Sequence, residues 1–468
     1  MRQLLVAFLQ KPHYCRKDQD TSTTSPPSIT PGPPPSPHGS VSPEHLPPAE
    51  SRRRACPAID VPQRRTDPHV NTSDTRRTAD VGAWFIGARG SLATTATLGI
   101  HALATGAATP VGLTTETDAV RVDEFPAIAD IVVGGHDIAT TPLEERARQL
   151  AAGGMFPAAL VDRVVERLRE TEQNLRPVPT MTATQQEEID LLAADIIDFR
   201  ERYELREVVV IDVSSTEPLP PYHPGFEDEE LLQTALTTPG VRVLPPSSRA
   251  ALAAIAAGAA YAAFTPSASL NLPVLRDRAE RAGIAYAGQD GKTGETLLRT
   301  VLAPMFTARG FRVQSWAGTN LLGGGDGATL ADPEAVRSKL VSKNRGLHAL
   351  VGDDVVTPLH IDNVPDLGDV KTAWDHVSAT GFLGSRVTLQ TTWSAYDSAL
   401  AAPLVIDLVR ALSLATRAGH AGVVTALGCF FKDPWGSDVH GFGEQTARFV
   451  SWVHETAAAV AAARVAAP

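Results

Sequence analysis

The sequence predicts an α/β protein built on a mainly parallel sheet, and two patterns carry that reading. Short apolar runs recur and each ends in a polar or glycine-rich loop: VGAWFIGA (81–88), IVVGGHDI (131–138), EVVVIDVSSTEP (207–218), YAAFTPSAS (261–269) and IAYAGQDGKTGE (284–295). Between them lie stretches of helical periodicity, such as FPAALVDRVVERLRETEQNL (156–175). Strands that alternate with helices run parallel, and ligands of such sheets sit beyond the carboxyl ends of the strands. The polar tips Asp137, Thr216, Glu217 and Asp290 all stand at such ends.

The chain has 468 residues, 43% of them hydrophobic, enough for two or three domains and a large core. Residues 1–79 stand apart. They hold 14 of the 36 prolines and repeated arginine pairs, in SRRRACP, PQRRTD and DTRRTAD. That composition cannot bury enough apolar surface to offset the entropy of ordering, so a disordered tail is expected. The net charge of −11 argues against nucleic acid or an anionic membrane as a partner of the whole chain. No apolar run reaches the length of a membrane span. The start, MRQLLVAFLQKPHYC, lacks the long apolar core and small-residue cleavage site of a signal peptide. Cys15, Cys56 and Cys429 form neither a disulfide framework nor a zinc spacing, so a cytoplasmic location is expected and no metal site is assigned.

Order is expected from residue 81. VGAWFIGA reads as a buried strand, GARGS (87–91) as a tight turn and SLATTATLGIHALA (91–104) as a helix. This is the geometry that sets a pyrophosphate on a helix N-terminus, with Gly87 and Gly90 letting the backbone approach. GARGS is not a full G-x-G-x-x-G, and an ordinary strand-to-helix turn fits the same residues. Glu116 and Asp118 are candidates for a ribose-binding acid. A second region begins near 297. FRVQSWAGTNLLGGGDG (311–327) reads as a strand opening into a glycine-rich loop with Asn320 and Asp326. RSKLVSK (337–343) places Lys339 and Lys343 one helical turn apart, where like charges repel; they form either a solvated face or a site for an anion. PLHIDNVPDLGDVKTAWDHV (358–377) places Lys371 just beyond a glycine, and SRVTLQTTWSAYD (385–397) alternates as an antiparallel strand does. SALAAPLVIDLVRALSLATRAG (398–419) is a long apolar helix, and GVVTALGCFFKDPWG (422–436) carries Lys432.

Taken in order, GARGS, GGHDI (134–138), AGQDGKTGET (287–296), TNLLGGGDG (319–327), RSKLVSK, GDVK (368–371), YDSALAAPLVIDLV (396–409) and FFKDP (430–434) give the chain its resemblance to a known family. It resembles the myo-inositol-1-phosphate synthase (inositol-3-phosphate synthase) family, its bacterial branch in particular. The resemblance covers nearly everything after residue 80. It implies a Rossmann-like NAD-binding domain that is discontinuous, made of residues 80–296 and completed by 400–468. An α+β domain at 297–399 is inserted between them, roofing the active site and building a homotetramer. It implies that D-glucose 6-phosphate is converted to 1D-myo-inositol 3-phosphate. C5 is oxidised by NAD, C6 loses a proton, the enolate closes on the C1 aldehyde, and C5 is reduced again.

The resemblance also assigns residues. Lys339, Lys343, Lys371 and Lys432 match the family's active-site lysines, and Asp290 and Asn320 match its polar substrate-side positions. Gly87, Ala88, Arg89, Gly90, Ser91, Asp137, Ile138, Ser215, Thr216, Asp326 and Asp397 match its cofactor side. Lys339 and Lys432 are assigned to the C5 oxygen, and Lys343 and Lys371 to the phosphate and the C1 oxygen. Preorganised cations suit a reaction whose intermediates carry a phosphate dianion and successive oxyanions. The chain departs from the eukaryotic pattern in its short glycine turn, in SSTEP for Asn-Thr-Glu-Arg, in FTPSAS for Asn-Gly-Ser-Pro and in GGGDG for Asn-Asn-Asp-Gly. Two other readings stay open: an NAD-dependent enzyme of another hexose phosphate, and an NAD-binding regulatory protein without catalysis. The composition of residues 1–79 generates one prediction: a chain beginning at Thr78 stays soluble and keeps its activity. Loss of folding or turnover on that truncation, read by circular dichroism and a rate assay, would contradict it.

Overall fold

The structure is a computed structural model that describes residues 81–324 and 346–466. The expected tail, and with it Asp326, Lys339 and Lys343, lies outside the described residues.

Seven parallel strands form the larger sheet: β1 (Val81–Ile86), β2 (Ile131–Asp137), β3 (Leu175–Pro177), β4 (Glu207–Asp212), β5 (Ala260–Ala263), β6 (Ala285–Gly288) and β11 (Gly422–Val423). Their order is β11-β6-β5-β4-β1-β2-β3. The strands are apolar on both faces because helices cover both. Val81, Ala83, Phe85, Val209, Ile211, Ala262 and Ala287 point into one core, and Trp84, Val208, Val210, Tyr261, Ala263 and Tyr286 into the other. This is the two-residue alternation of a pleated strand. From β1 the chain winds outward through β2 and β3, then returns and winds the other way through β4, β5 and β6. The reversal between β1 and β4 opens a crevice at their carboxyl ends.

The helix Asp397–Arg417 lies on the first core, against β4, β5, β6 and the helix Ser91–Ala104. By length and composition it could cross a membrane, yet 72% of its most apolar window is buried inside this fold. Its polar residues are paired there. Asp407 accepts hydrogen bonds from the backbone N–H groups of Thr114 (2.7 Å) and Thr115 (3.1 Å), and Arg410 pairs with Glu116 at 2.7 Å. Glu116 is therefore committed to the helix rather than to a ribose, and Asp118 is a solvent-exposed residue of the same connection. The acid at the end of β2 is Asp137. Two 3₁₀ turns, Thr114–Glu116 and Ile128–Asp130, lengthen this first crossover between the helix and β2.

The second sheet has the order β10-β9-β7-β8, from β7 (Arg312–Leu322), β8 (Leu359–Asn363), β9 (Val370–Thr380) and β10 (Arg386–Tyr396). β9 runs antiparallel to both β7 and β10, and β8 runs parallel to β7. Its inner face closes on Phe306, Trp316, Leu347, Val377 and Ala379. The helices Glu295–Ala308 and Asp397–Arg417 run unbroken across the expected domain boundaries at 296/297 and 399/400. Each passes from one sheet to the other as a continuous rod, so no turn residue marks the change. Arg299 pins the first of these helices to the second sheet. It pairs with Glu295 at 2.5 Å and Asp375 at 2.9 Å, while Trp316 Nε1 donates to Asp375 at 2.8 Å. After the second sheet the chain returns to the first, where β11 pairs with β6 at the edge.

Close packing beneath the glycine turn makes a sharp prediction. A Cβ on Gly135 would meet the Phe85 carbonyl and stand 2.7 Å from the Ala88 Cβ. Backbone cannot yield as a flexible side chain can, so Gly135→Ala should cost at least about 2 kcal/mol. Urea denaturation checks this; a wild-type midpoint would contradict it.

Candidate active site

Beyond the carboxyl ends of β1 and β4 lies a cleft of about 290 Å³. The turn from β1 into its helix forms the first wall. Gly87 has φ of +86°, a conformation open to glycine, and a Cβ there would stand 3.0 Å from the Ser214 Cα. Gly90 N donates to Gly87 O at 3.0 Å and closes the turn. The helix Ser91–Ala104 then begins with no side-chain cap and no carboxylate in its first turn. Its N-terminal N–H groups and the positive end of its dipole face a site lined by Gly90 and Ser91.

Asp137 fixes this turn from β2. Its carboxylate accepts from Arg89 N at 2.6 Å and from Ala139 N at 2.7 Å. Beside it Ile138 is 84% exposed. Ala88 is buried, and the Arg89 guanidinium is paired with Glu172 on the helix Ala158–Glu172. Gly87, Ala88, Arg89, Asp137 and Ile138 flank the cleft rather than line it, whereas Gly90, Ser91, Ser215, Thr216, Asp290, Lys371, Asp397 and Lys432 line it.

Two lysine–aspartate pairs form the opposite side. Lys432 Nζ lies 2.7 Å from Asp290 Oδ1, both groups almost fully buried, and Lys432 N donates to Asp290 O at 2.7 Å. Asp290 itself has φ of +62°. Lys371 Nζ on β9 lies 3.3 Å from Asp397 Oδ2, while Thr293 Oγ1 donates to Asp397 Oδ1 at 2.7 Å. Thus the loop after β6, the second sheet, the long helix and the C-terminal segment each contribute to one charged cluster. Asn320 stands apart from the cleft. It is fully buried and donates to Glu295 at 2.7 Å, within the Arg299 network.

Sequence reasoning missed several groups. Arg146 lines the cleft and donates to Ser91 Oγ at 2.7 Å. Nothing local separates it from Arg148, which pairs with Glu144 and Asp162 on the surface. Thr293 and Lys292 sit in the quoted AGQDGKTGET run. Lys292 points away from the cleft toward Gln445 and the Phe442 ring, and burial pulls its ammonium down to about 8. Beneath the β4 wall, burial and the neighbouring Asp212 push the Glu217 carboxyl up to about 7, against the hydrogen bonds from Ser247.

The family model described as myo-inositol-1-phosphate synthase, an NAD-binding model, matches residues 81–454. The chain belongs to the myo-inositol-1-phosphate synthase family. The match opens on the first residue of β1 and includes both sheets. Among its relatives, inositol-3-phosphate synthase 1 of Bacteroides thetaiotaomicron is 29% identical over 412 residues, covering 80% of this chain and 94% of that one. The inositol-3-phosphate synthase of Drosophila melanogaster is 30% identical over 315 residues, or 62% of this chain and 54% of its own length. In fold, the chain is similar to the crystal structure of inositol-3-phosphate synthase from Caenorhabditis elegans. The TM-score is 0.72 at 22% identity, with 81% of this chain and 86% of that one covered. A myo-inositol-1-phosphate synthase-related protein from Thermotoga maritima gives 0.63 at 20% identity, covering 80% and 98%.

In this member of the myo-inositol-1-phosphate synthase family the Lys432–Asp290 pair is buried deeply enough to be read by stability. Removing the cation from a buried carboxylate typically costs about 3 kcal/mol or more. Lys432→Met should lose that much in urea denaturation, and adding Asp290→Asn should restore more than half of it. A loss below about 1 kcal/mol in the single variant would place the pair among weakly coupled surface charges.

Proposed function

We propose that this cleft is the active site of an inositol-3-phosphate synthase, which converts D-glucose 6-phosphate to 1D-myo-inositol 3-phosphate with no net redox change. The observation that carries the reading is the convergence of Lys371 and Lys432, each held by a carboxylate, on a cleft that also receives an uncapped helix N-terminus. When bound, NAD supplies the acceptor for the hydride that leaves C5 and the donor that returns it.

The chain's residues fit that cofactor. The Gly87–Gly90 turn and the first N–H groups of the helix Ser91–Ala104 suit a pyrophosphate. Asp137 stands at the end of β2, where a carboxylate meets ribose hydroxyls and repels a 2′-phosphate, so NAD is favoured over its phosphorylated form. Ile138 offers an apolar surface beside it, and Ser215 and Thr216 line the β4 side. Ala88, Arg89 and Asp397 act through backbone packing and ion pairs, and Asp326 is assigned to the cofactor by the family resemblance.

The substrate side carries paired charges. Lys432 and Lys339 hold the C5 oxygen as it changes between hydroxyl and carbonyl. Lys371 and Lys343 hold the phosphate and the C1 oxygen, which gains negative charge as the ring closes. Asp290 and Asp397 orient the ammonium groups of Lys432 and Lys371 before substrate arrives. Each such preorganised cation stabilises developing charge because no solvent must rearrange around it. Asn320 contributes from behind, through Glu295. The insert, residues 297–399, and the flanking segments 80–296 and 400–468 then act as roof and floor of one site. The exposed Trp374, Phe382 and Leu383 of the second sheet give it an apolar surface suited to assembly as a homotetramer. A reducing cytoplasm suits the buried Cys429, whose thiol burial pushes up to about 12.

The test is product analysis by NMR after incubation with D-glucose 6-phosphate and NAD. Inositol phosphate is expected, without accumulation of NADH. Lys339→Ala, Lys343→Ala and Lys371→Ala should each lose ~100-fold or more in turnover, with NAD affinity little changed. An epimeric cyclitol or an uncyclised ketose would move the assignment to another hexose-phosphate enzyme. Bound NAD with no turnover of any hexose phosphate would make the chain a regulatory NAD-binding protein.

A further inference from the structure

The β4 wall of the cleft is the short loop Val213–Thr216, all four residues of which line it. A loop at a switch point has no strand on which to rest, yet this one is tied at both ends by carboxylates, the fully buried Asp212 and the half-buried Glu217. At its start, Asp212 Oδ1 accepts from Ser214 N (3.0 Å) and Ser214 Oγ (2.6 Å). At its end, the two oxygens of Glu217 accept from Ser247 N and Ser247 Oγ, both at 2.8 Å, at the first turn of the helix Pro246–Ala256. Glu217 N also donates to Ser267 Oγ at 3.3 Å.

The two anchors are joined behind the loop. Ser269 N donates to Ser247 Oγ at 3.1 Å, Ser269 Oγ donates to the Tyr261 hydroxyl at 2.7 Å, and that hydroxyl donates to Asp212 Oδ2 at 3.4 Å. Asp212, Tyr261, Ser247 and Ser269 are buried to 1% exposure or less. The loop is thus the cleft-facing side of a closed ring of hydrogen bonds. The loop also meets the end of β1 and the glycine turn that follows it. Val213 N donates to Ile86 O at 3.0 Å, and a Cβ on Gly87 would stand 3.0 Å from the Ser214 Cα. A loop that shifts takes the turn with it.

We infer that Glu217 is a positioning residue for dinucleotide binding: seated on the N-terminus of the helix Pro246–Ala256, it fixes the loop that both walls the cleft and buttresses the glycine turn. The inference rests on the reading of the cleft as a dinucleotide site. Glu217 does not line the cleft, so it acts through Ser214, Ser215 and Thr216. The lysine–aspartate pairs come from other elements, so loosening the loop should weaken cofactor binding and leave the charge-stabilising step intact.

The experiment is NAD titration by fluorescence and steady-state kinetics on the full chain, with melting temperature measured alongside. Loss of a hydrogen-bonded carboxylate in Glu217→Ala should raise the Kd for NAD about tenfold, with kcat at saturating NAD within about twofold of wild type. Glu217→Gln keeps an acceptor for Ser247 N–H and should stay within about threefold of the wild-type Kd. A lowered melting temperature with an unchanged Kd, a parallel fall in kcat, or a Gln variant as weak as the Ala variant would overturn the inference. If Glu217→Ala does not fold, Ser247→Ala carries the test. It removes one of the two donors, and a rise in Kd of about threefold is expected, whereas a wild-type Kd would overturn the proposal. A wild-type chain that bound no NAD would remove the underlying reading of the cleft as well.

Discussion

A lysine buried against an aspartate is the interaction on which this structure depends. Lys432 belongs to the C-terminal segment and Asp290 to the loop after β6, and they meet through both a 2.7 Å ion pair and a backbone hydrogen bond. An ammonium leaves water only at a cost of several kcal/mol, which a close carboxylate offsets. The pair therefore ties the last part of the chain to the sheet that the first part begins. The bridge between Gly291 and Phe431 and the pairing of β11 with β6 follow along the same seam. Lys292 reinforces it from behind through Gln445.

The Lys371–Asp397 pair does the same between the two sheets. Lys371 stands at the start of β9, Asp397 opens the long helix, and Thr293 hydrogen-bonds the shared carboxylate. Arg299 adds a second tie deeper in, between the helix Glu295–Ala308 and β9. Cleft geometry and domain cohesion thus rest on the same charges. A sugar phosphate entering the cleft would find cations already placed, while the uncapped helix N-terminus stands with the glycine turn and reaches Asp369 through Ser91 Oγ at 3.4 Å.

The sheet was legible because each central strand is an apolar run that ends in a polar tip. The observed strands VGAWFI, IVVGGHD, EVVVID, AYAA and AYAG fall at the apolar starts of those runs. The short edge strands were not: β3 and β11 have three and two residues and carry no periodicity. Order along the chain, with GARGS, GDVK and FFKDP in sequence, pointed to Gly90, Ser91, Lys371 and Lys432, which the fold brings to one cleft, because each motif keeps its own spacing. Partners across the chain could not be read that way. That Glu116 serves Arg410, Asn320 serves Glu295 and Arg146 reaches Ser91 are facts of packing between distant segments. The helices Glu295–Ala308 and Asp397–Arg417 run across the expected domain boundaries, and no turn residue there marks a change of domain.

The central claim is that one cleft oxidises and then re-reduces the same carbon around a ring closure. The most direct measurement follows the fate of deuterium placed at C5 of D-glucose 6-phosphate, read by NMR of the product formed in normal water. The account predicts that the deuterium returns to the corresponding carbon of the inositol phosphate, with no stoichiometric build-up of reduced cofactor. Deuterium lost to water, or left on released reduced cofactor, would contradict it.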